Sequence, residues 1–323
     1  MTASVQSIPV LVLYPHARCN CRCVMCDIWK GTSEAELSAE ELARHLADIE
    51  TLQVKWVVFS GGEPLMHSDL FRLSDMLRSR GIRVTILSTG LLLKRFAKEV
   101  VAHVDDVIVS LDGPPHIHDQ IRRIRGAFVQ LEQGIGAIRN RNPKFPIAAR
   151  CTVQRSNHNA LAETAELAKL LQLDSISLLA ADLTSEAFNR EERWDEERQA
   201  AVSLTRDELD TLDRQLESVW LEWGETGFVL ESYEKLRRIS RHFRAHLGLC
   251  EPEAPRCNAP WVSAVVEANG VVRPCFFHRP IGSLQSQTLI QVLNGFEAQR
   301  FRQSLDVATN AVCRRCVCSL HLQ

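Results

Sequence analysis

The sequence has no surplus of charge of either sign, no long apolar run, no internal repeat and no low-complexity tract. Its 38 Lys and Arg balance 40 Asp and Glu, so no broad basic field exists to hold a phosphate backbone, and nucleic acid is not an expected partner. The start, MTASVQSIPVLVLYPHARC, lacks a basic segment, and its apolar run over residues 8–14 is interrupted by Pro9. Neither a signal peptide nor a membrane span is expected there, which places the chain in the cytoplasm with no membrane partner.

Cysteine, by contrast, is abundant. There are 11 cysteines, an odd number, four of them within residues 19–26, six within residues 250–318, and Cys151 alone between the groups. Clusters of this kind in a reducing compartment read as metal or cluster ligands rather than as a disulfide framework. With 323 residues, 45% of them hydrophobic, the chain can bury a sizeable core, and the length predicts one large domain and a smaller one.

Six short apolar runs, at residues 10–14, 56–60, 84–88, 106–111, 147–153 and 175–179, alternate with amphipathic stretches at 38–50, 68–80, 91–103, 128–141 and 159–171. The runs are rich in Val and Ile and lack a clean polar alternation, which suits parallel strands buried on both faces. The α/β pattern predicts a partial (β/α)6 TIM-type barrel over residues 1–183. A charged, Trp-bearing helical connector is expected over 184–248, with Trp194, Trp220 and Trp223 as core residues. A small cysteine-rich domain is expected over 249–323. There, Ala268-Asn269-Gly270 between two apolar runs signals a hairpin.

Directly after the first run, Cys19, Cys23 and Cys26 stand as C-x3-C-x2-C. Three thiolates on one loop can hold three irons of a 4Fe-4S cluster and leave the fourth open to another ligand. Cys21 is extra, and a zinc site built from four cysteines is the alternative. Later runs end in further motifs. Gly61-Gly62-Glu63-Pro64 follows the second, where glycines permit close backbone approach and a carboxylate can meet an ammonium group. Ser88-Thr89-Gly90 follows the third and Ser110-Leu111-Asp112-Gly113 the fourth, both suited to ribose hydroxyls at the carboxyl ends of parallel strands. Taken singly, each is as well explained by a tight turn or a helix cap.

In this order the motifs resemble those of the radical S-adenosylmethionine (radical SAM) superfamily. The resemblance implies that Cys19, Cys23 and Cys26 hold a 4Fe-4S cluster whose open iron binds S-adenosylmethionine. It implies that Gly61, Gly62 and Glu63, with Pro64, hold the methionyl ammonium, that Ser88, Thr89, Ser110 and Asp112 lie near the cofactor's ribose, and, through HDQIRRIRGAF, that Arg122 meets the methionyl carboxylate. Met25 departs from the aromatic residue common before the last cysteine. The implied activity is reductive cleavage of S-adenosylmethionine to a 5'-deoxyadenosyl radical that takes a hydrogen atom from a substrate, with flavodoxin or ferredoxin as electron donor.

Cys257 and Cys275, spaced C-x12-G-x4-C around Gly270, are similar to the opening of the family's twitch and SPASM auxiliary domains, and Cys313 and Cys316 follow as C-x2-C. Four such thiolates suit a second, closed 4Fe-4S cluster, with Cys318 a substitute for Cys316 and a zinc knuckle the alternative. As the chain ends at Gln323, the single-cluster twitch form is expected. A closed cluster offers an outlet for an electron, so the expected reaction is oxidation (dehydrogenation) of a small natural-product or sugar-like substrate, a peptide remaining open. Epimerisation with Cys250 as hydrogen donor is the second reading, and a non-catalytic iron-sulfur electron carrier a third. His116 and His118 are expected in a loop beside the cofactor, and Phe276, Phe277 and His278 are expected to shield the auxiliary cluster.

Overall fold

In the computed structural model, which describes residues 3–188, 190 and 192–322, all six apolar runs form strands. They are β1 (Val10–Leu13), β2 (Trp56–Phe59), β3 (Arg83–Ser88), β4 (Asp106–Ser110), β5 (Ile147–Val153) and β6 (Ser175–Ala180), each parallel to the next. Between them run α1 (Ala39–Thr51), α2 (Leu70–Arg78), α3 (Leu93–His103), α4 (Pro115–Arg122), α5 (Ala127–Arg141) and α6 (Leu161–Leu170). The sheet stays open, as the partial-barrel reading requires, because β6 is at one edge and does not pair with β1.

In β2 and β5 burial alternates although the sequences do not alternate in polarity. In β2, Val57 and Phe59 are fully buried while Trp56 and Val58 are only partly so; in β5, Ala149 and Cys151 are buried and Arg150 is not. The outer face is sealed by helices, whose apolar stripes supply Leu42, Leu73, Val100 and Leu131 to one continuous core. The inner face looks into a lumen that side chains do not fill. Apolar residues on the inner face therefore line a cavity here, as a barrel interior that encloses a substrate requires.

The connector folds as α7 (Glu196–Val202), α8 (Leu209–Trp223) and α9 (Tyr233–His246). Helix α8 packs on α6, and α9 packs on β6. Trp194 is buried, as expected of a core residue, whereas Trp220 and Trp223 are partly buried against the core.

The C-terminal segment is joined to the barrel through its sheet. After α10 (Ala259–Val262), β7 (Ser263–Val266) runs parallel to β1 in the register Val10↔Ser263 to Leu13↔Val266. It turns into β8 (Val271–Arg273), and β9 (Gly282–Ser283) adds a further antiparallel strand. The expected hairpin turn is present, with Gly270 at a φ of +81°, a left-handed conformation that glycine adopts without strain. Helices α11 (Leu289–Asn294), α12 (Phe296–Ser304) and α13 (Ala311–Arg314) complete the chain. Pro115 opens α4 as its first residue, so His116 and His118 lie on a helix, and the loop expected for them is corrected.

Candidate active site

The C-terminal ends of β1 to β5 converge on one side of the sheet. The loop after β1 carries Cys19, Cys21, Cys23 and Cys26 and is fastened at both ends. Arg22 and Val24 donate their backbone N–H groups to the carbonyls of Arg122 (3.2 Å) and Ile121 (3.0 Å) at the end of α4. After the last cysteine, Asp27 accepts from Trp194 Nε1 (2.6 Å) and Arg198 (2.5 Å) of the connector.

The turn Gly61-Gly62-Glu63-Pro64 packs directly on this loop. A Cβ on Gly62 would stand 1.8 Å from the Arg18 carbonyl oxygen, so only glycine lets the chains pass. Glu63 N donates to that same oxygen at 2.9 Å. His16 braces the pair, since Arg18 N donates to its Nδ1 (2.9 Å) and its Nε2 lies 2.9 Å from the Glu63 carbonyl oxygen.

The Glu63 side chain is fully buried and accepts from Ser88 Oγ (3.0 Å), Thr89 N (2.6 Å) and Leu65 N (3.1 Å). The carboxylate expected to face an ammonium thus ties the β2 and β3 loops together. Burial raises its pKa, and these donors oppose the rise. Asp112 is also fully buried. It accepts from Arg122 Nε at 2.6 Å and from Thr152 N at 3.0 Å. Arg122 places Nη1 3.5 Å from Cys23 Sγ, so Asp112, Arg122 and Cys23 form one buried chain of contacts. Ser110 stands in register with Arg150 on the inner face.

The residues suit an iron-sulfur cluster and an organic ligand beside it. Burial pushes the thiols of Cys19 and Cys26 up to about 12. Such thiols ionise when a cationic centre is bound, because coordination supplies the missing positive charge. Cys23 goes the other way, held low by donation from Cys21 and by Arg122. Asn20 accepts from Thr89 Oγ1 at 3.0 Å, while its own Nδ2 is buried with no partner among the described residues, a donor left for a ligand.

In the C-terminal segment, Cys257, Cys275, Cys313, Cys316 and Cys318 all line one cavity. Burial drives the Cys275 thiol up to about 12 and that of Cys313 to about 11. Among the described residues no three Cys, His, Asp or Glu side chains stand close enough to hold a single metal ion. A cubane is gripped at its corners and sets its cysteines wider apart. His278 Nε2 lies 3.4 Å from Cys313 Sγ, while Phe276 and Phe277 pack on Phe188 and line the same cavity as the cysteines.

That cavity, of about 360 Å³, runs from the auxiliary cysteines into the barrel lumen, where Val12, Trp56, Val58, Leu87 and Ile108 form apolar walls. Arg150, Ser177, Glu231, Arg238 and His242 also line it. None of these five was singled out from the sequence. The one available signal was an arginine inside the apolar run IAARCTV, since a charge in a buried strand must face something polar or open. Cys250, expected as a hydrogen donor, is outside the cavity lining, with its Sγ 3.8 Å from the Arg241 carbonyl oxygen.

Residues 13–168 match the Radical SAM superfamily model, and residues 257–317 match that of SPASM, an iron-sulfur cluster-binding domain. The chain is 34% identical over 163 residues to the AdoMet-dependent heme synthase of Methanosarcina barkeri, covering 48% of this chain and 45% of that one. It is 28% identical over 188 residues to the PqqA peptide cyclase of Rhodopseudomonas palustris, covering 54% of this chain and 48% of the relative. The chain thus spans about half the length of the curated relatives it matches. The crystal structure of Streptococcus suis SuiB bound to S-adenosylmethionine shares the fold, with a TM-score of 0.69 at 14% identity over 98% of this chain and 74% of SuiB. The chain belongs to the radical SAM superfamily with a SPASM-type C-terminal domain, a pairing whose cofactors are S-adenosylmethionine and two 4Fe-4S clusters.

Proposed function

We propose that the chain abstracts a hydrogen atom from a substrate held in the lumen cavity and completes a two-electron oxidation there. The observation that carries this reading is that one cavity is lined both by the inner faces of the barrel strands and by the C-terminal cysteines. When bound, the cofactors supply reductive cleavage of S-adenosylmethionine to a hydrogen-abstracting radical and a second cluster able to take up an electron.

The chain's own residues place and enclose these groups. Cys19, Cys23 and Cys26 would hold the first cluster, and Cys257, Cys275, Cys313 and Cys316 the second. Glu63 contributes by fixing the turn at Gly61, Gly62 and Pro64 against Ser88 and Thr89, which leaves the ammonium contact to the turn itself. Arg122, anchored by Asp112 next to Cys23, would set positive charge where the methionyl carboxylate binds, with Ser110 on the ribose side. The apolar walls keep water and stray hydrogen sources from the reacting carbon.

The similarity to a heme synthase and a peptide cyclase supports a tetrapyrrole, another natural product or a peptide over a sugar-like substrate. A cytoplasmic setting and a flavodoxin or ferredoxin donor belong to the same reading. Among the described residues no helix is long and apolar enough to cross a membrane.

Epimerisation is the second reading. It needs a hydrogen donor in the cavity, and there Cys318 replaces Cys250, because Cys318 lines the cavity and Cys250 does not.

Anaerobic reconstitution, metal analysis and incubation with S-adenosylmethionine and dithionite test the proposal. About eight irons per chain, four for each cluster, with 5'-deoxyadenosine released, support it. Zinc in place of iron, or iron with no cleavage, overturns it. Deuterium carried from solvent thiol into the product would mark the epimerase.

A further inference from the structure

The lumen cavity carries six Arg or Lys side chains against two carboxylates, and most of these charges are already engaged. Arg241 pairs with Glu253 at 2.6 Å, Arg314 pairs with Glu251 at 3.1 Å, and Arg238 donates to the Cys316 carbonyl oxygen at 3.3 Å. Glu231 has both oxygens taken by Ser177 Oγ (2.8 Å) and Leu178 N (2.9 Å). Arg150, Lys235 and Arg315 form no ion pair within 4 Å among the described residues, and of the six only Arg150 also has a buried nitrogen, Nε, with no hydrogen-bond partner; its charge acts on the nearby Glu231.

Its position explains what it can meet. Arg150 lies on β5 in register with Ser110 of β4 and Ser177 of β6, so the three form a polar shelf across the inner face. Apolar walls from Val12, Trp56, Leu87 and Ile108 line the same cavity. Outward, Thr184, Phe277, His278 and Arg315 also line a second, open cavity of about 740 Å³, where Arg193, Arg279 and Arg300 stand with Asp182, Glu186 and Glu297, Arg300 pairing with Glu297 at 2.6 Å.

We propose that Arg150 is a substrate-carboxylate anchor and that the cavity takes an organic acid, its apolar body on the lumen walls and its carboxylate on the Arg150 guanidinium beside Ser177. The inference rests on the cavity being the substrate site of the proposed radical reaction. The Arg150 side chain is only partly buried, but its Nε is shut away from water without a partner, and a bidentate carboxylate would satisfy it. The acid can be a tetrapyrrole side chain, a peptide side chain or a small diacid, which share this chemistry.

The test is binding to the anaerobic, reconstituted holoprotein, measured by fluorescence or calorimetry with three matched pairs. These are coproporphyrin III against its tetramethyl ester, a glutamate-containing hexapeptide against its glutamine counterpart, and sebacate against its dimethyl ester. At least one acid is expected to bind about tenfold or more tighter than its neutral partner, and the pair that shows this names the source. Arg150→Met should abolish that preference and Arg150→Lys should restore part of it. If no acid is preferred, if the preference survives in Arg150→Met, or if both variants instead lose iron because Arg150 serves the auxiliary cluster, the proposal is overturned. Release of 5'-deoxyadenosine by the wild-type holoprotein is followed in parallel. Its absence would sink the radical reading while the acid preference could still stand.

Discussion

Arg122 donates through Nε to Asp112 at 2.6 Å while both side chains are almost wholly buried, and the same guanidinium reaches Cys23 Sγ at 3.5 Å. Removing one partner of a buried pair leaves a charge without compensation, which costs about 3 to 5 kcal/mol. Asp112→Asn should therefore lower unfolding stability by about that amount in urea titrations. The double variant with Arg122→Gln should lose less than the sum of the two single changes. Strict additivity would show that the two side chains do not depend on each other.

Gly62 faces a backbone carbonyl, not a mobile side chain. Because its Cβ would stand 1.8 Å from the Arg18 oxygen, Gly62→Ala should force apart the β2 turn and the loop that carries Cys19. The expected result is about four irons per chain in place of eight, with the auxiliary site still loaded. Full iron content in this variant would mean that the loop shifts without harm to the first cluster site.

His16 links the same two loops through both ring nitrogens, accepting from Arg18 N at Nδ1 and facing the Glu63 carbonyl oxygen with Nε2. Only the neutral ring with its proton on Nε2 satisfies both contacts. Burial, then the charge of Arg18, lowers its pKa from 6.5 to about 4. A depressed folded-state pKa gives stability that is complete above 6.5 and declines as pH falls toward 4, because the unfolded chain takes the proton first. The thermal midpoint of the wild type should accordingly drop between pH 7 and pH 5, and His16→Gln should flatten part of that slope. Parallel slopes in the two proteins would remove His16 from the titration.

How much of this was legible depended on whether the signal was local. Strands such as VLVL and IAARCTV and the spaced cysteines announce themselves within a few residues, and all six strands are where the apolar runs stand. Helix α4 escaped because PPHIHDQIR offers only Ile117 and Ile121 as an apolar pair; Pro115 at its first turn was the available clue. The β1–β7 pairing joins residues some 250 positions apart, and no local pattern encodes such a partner. The residues that line the lumen cavity were hidden for a related reason. A strand that faces a void and one that faces a second packed layer have the same apolar composition, and Arg150 alone breaks the run.

The five C-terminal cysteines compete for four ligand positions, and their surroundings separate them. Cys316 feels the charges of Cys318, Cys275 and Cys257, whereas Cys318 feels those of Arg150, Asp182, Cys257 and Arg238, with only one other C-terminal cysteine among them. Cys316→Ala should consequently lower iron from about eight to about four per chain, as should the alanine variants of Cys257, Cys275 and Cys313, while Cys318→Ala and Cys250→Ala should keep about eight. Alanine at Cys19, Cys23 or Cys26 should cost the other four irons and all 5'-deoxyadenosine release. Iron quantitation with electron paramagnetic resonance of the reduced proteins distinguishes these outcomes. Loss of four irons in Cys318→Ala but not in Cys316→Ala would exchange the two residues, making Cys318 the ligand and Cys316 the free thiol of the cavity. In that arrangement the hydrogen donor that epimerisation requires would have to be Cys316, since Cys250 does not line the cavity and its Sγ contacts the Arg241 carbonyl oxygen.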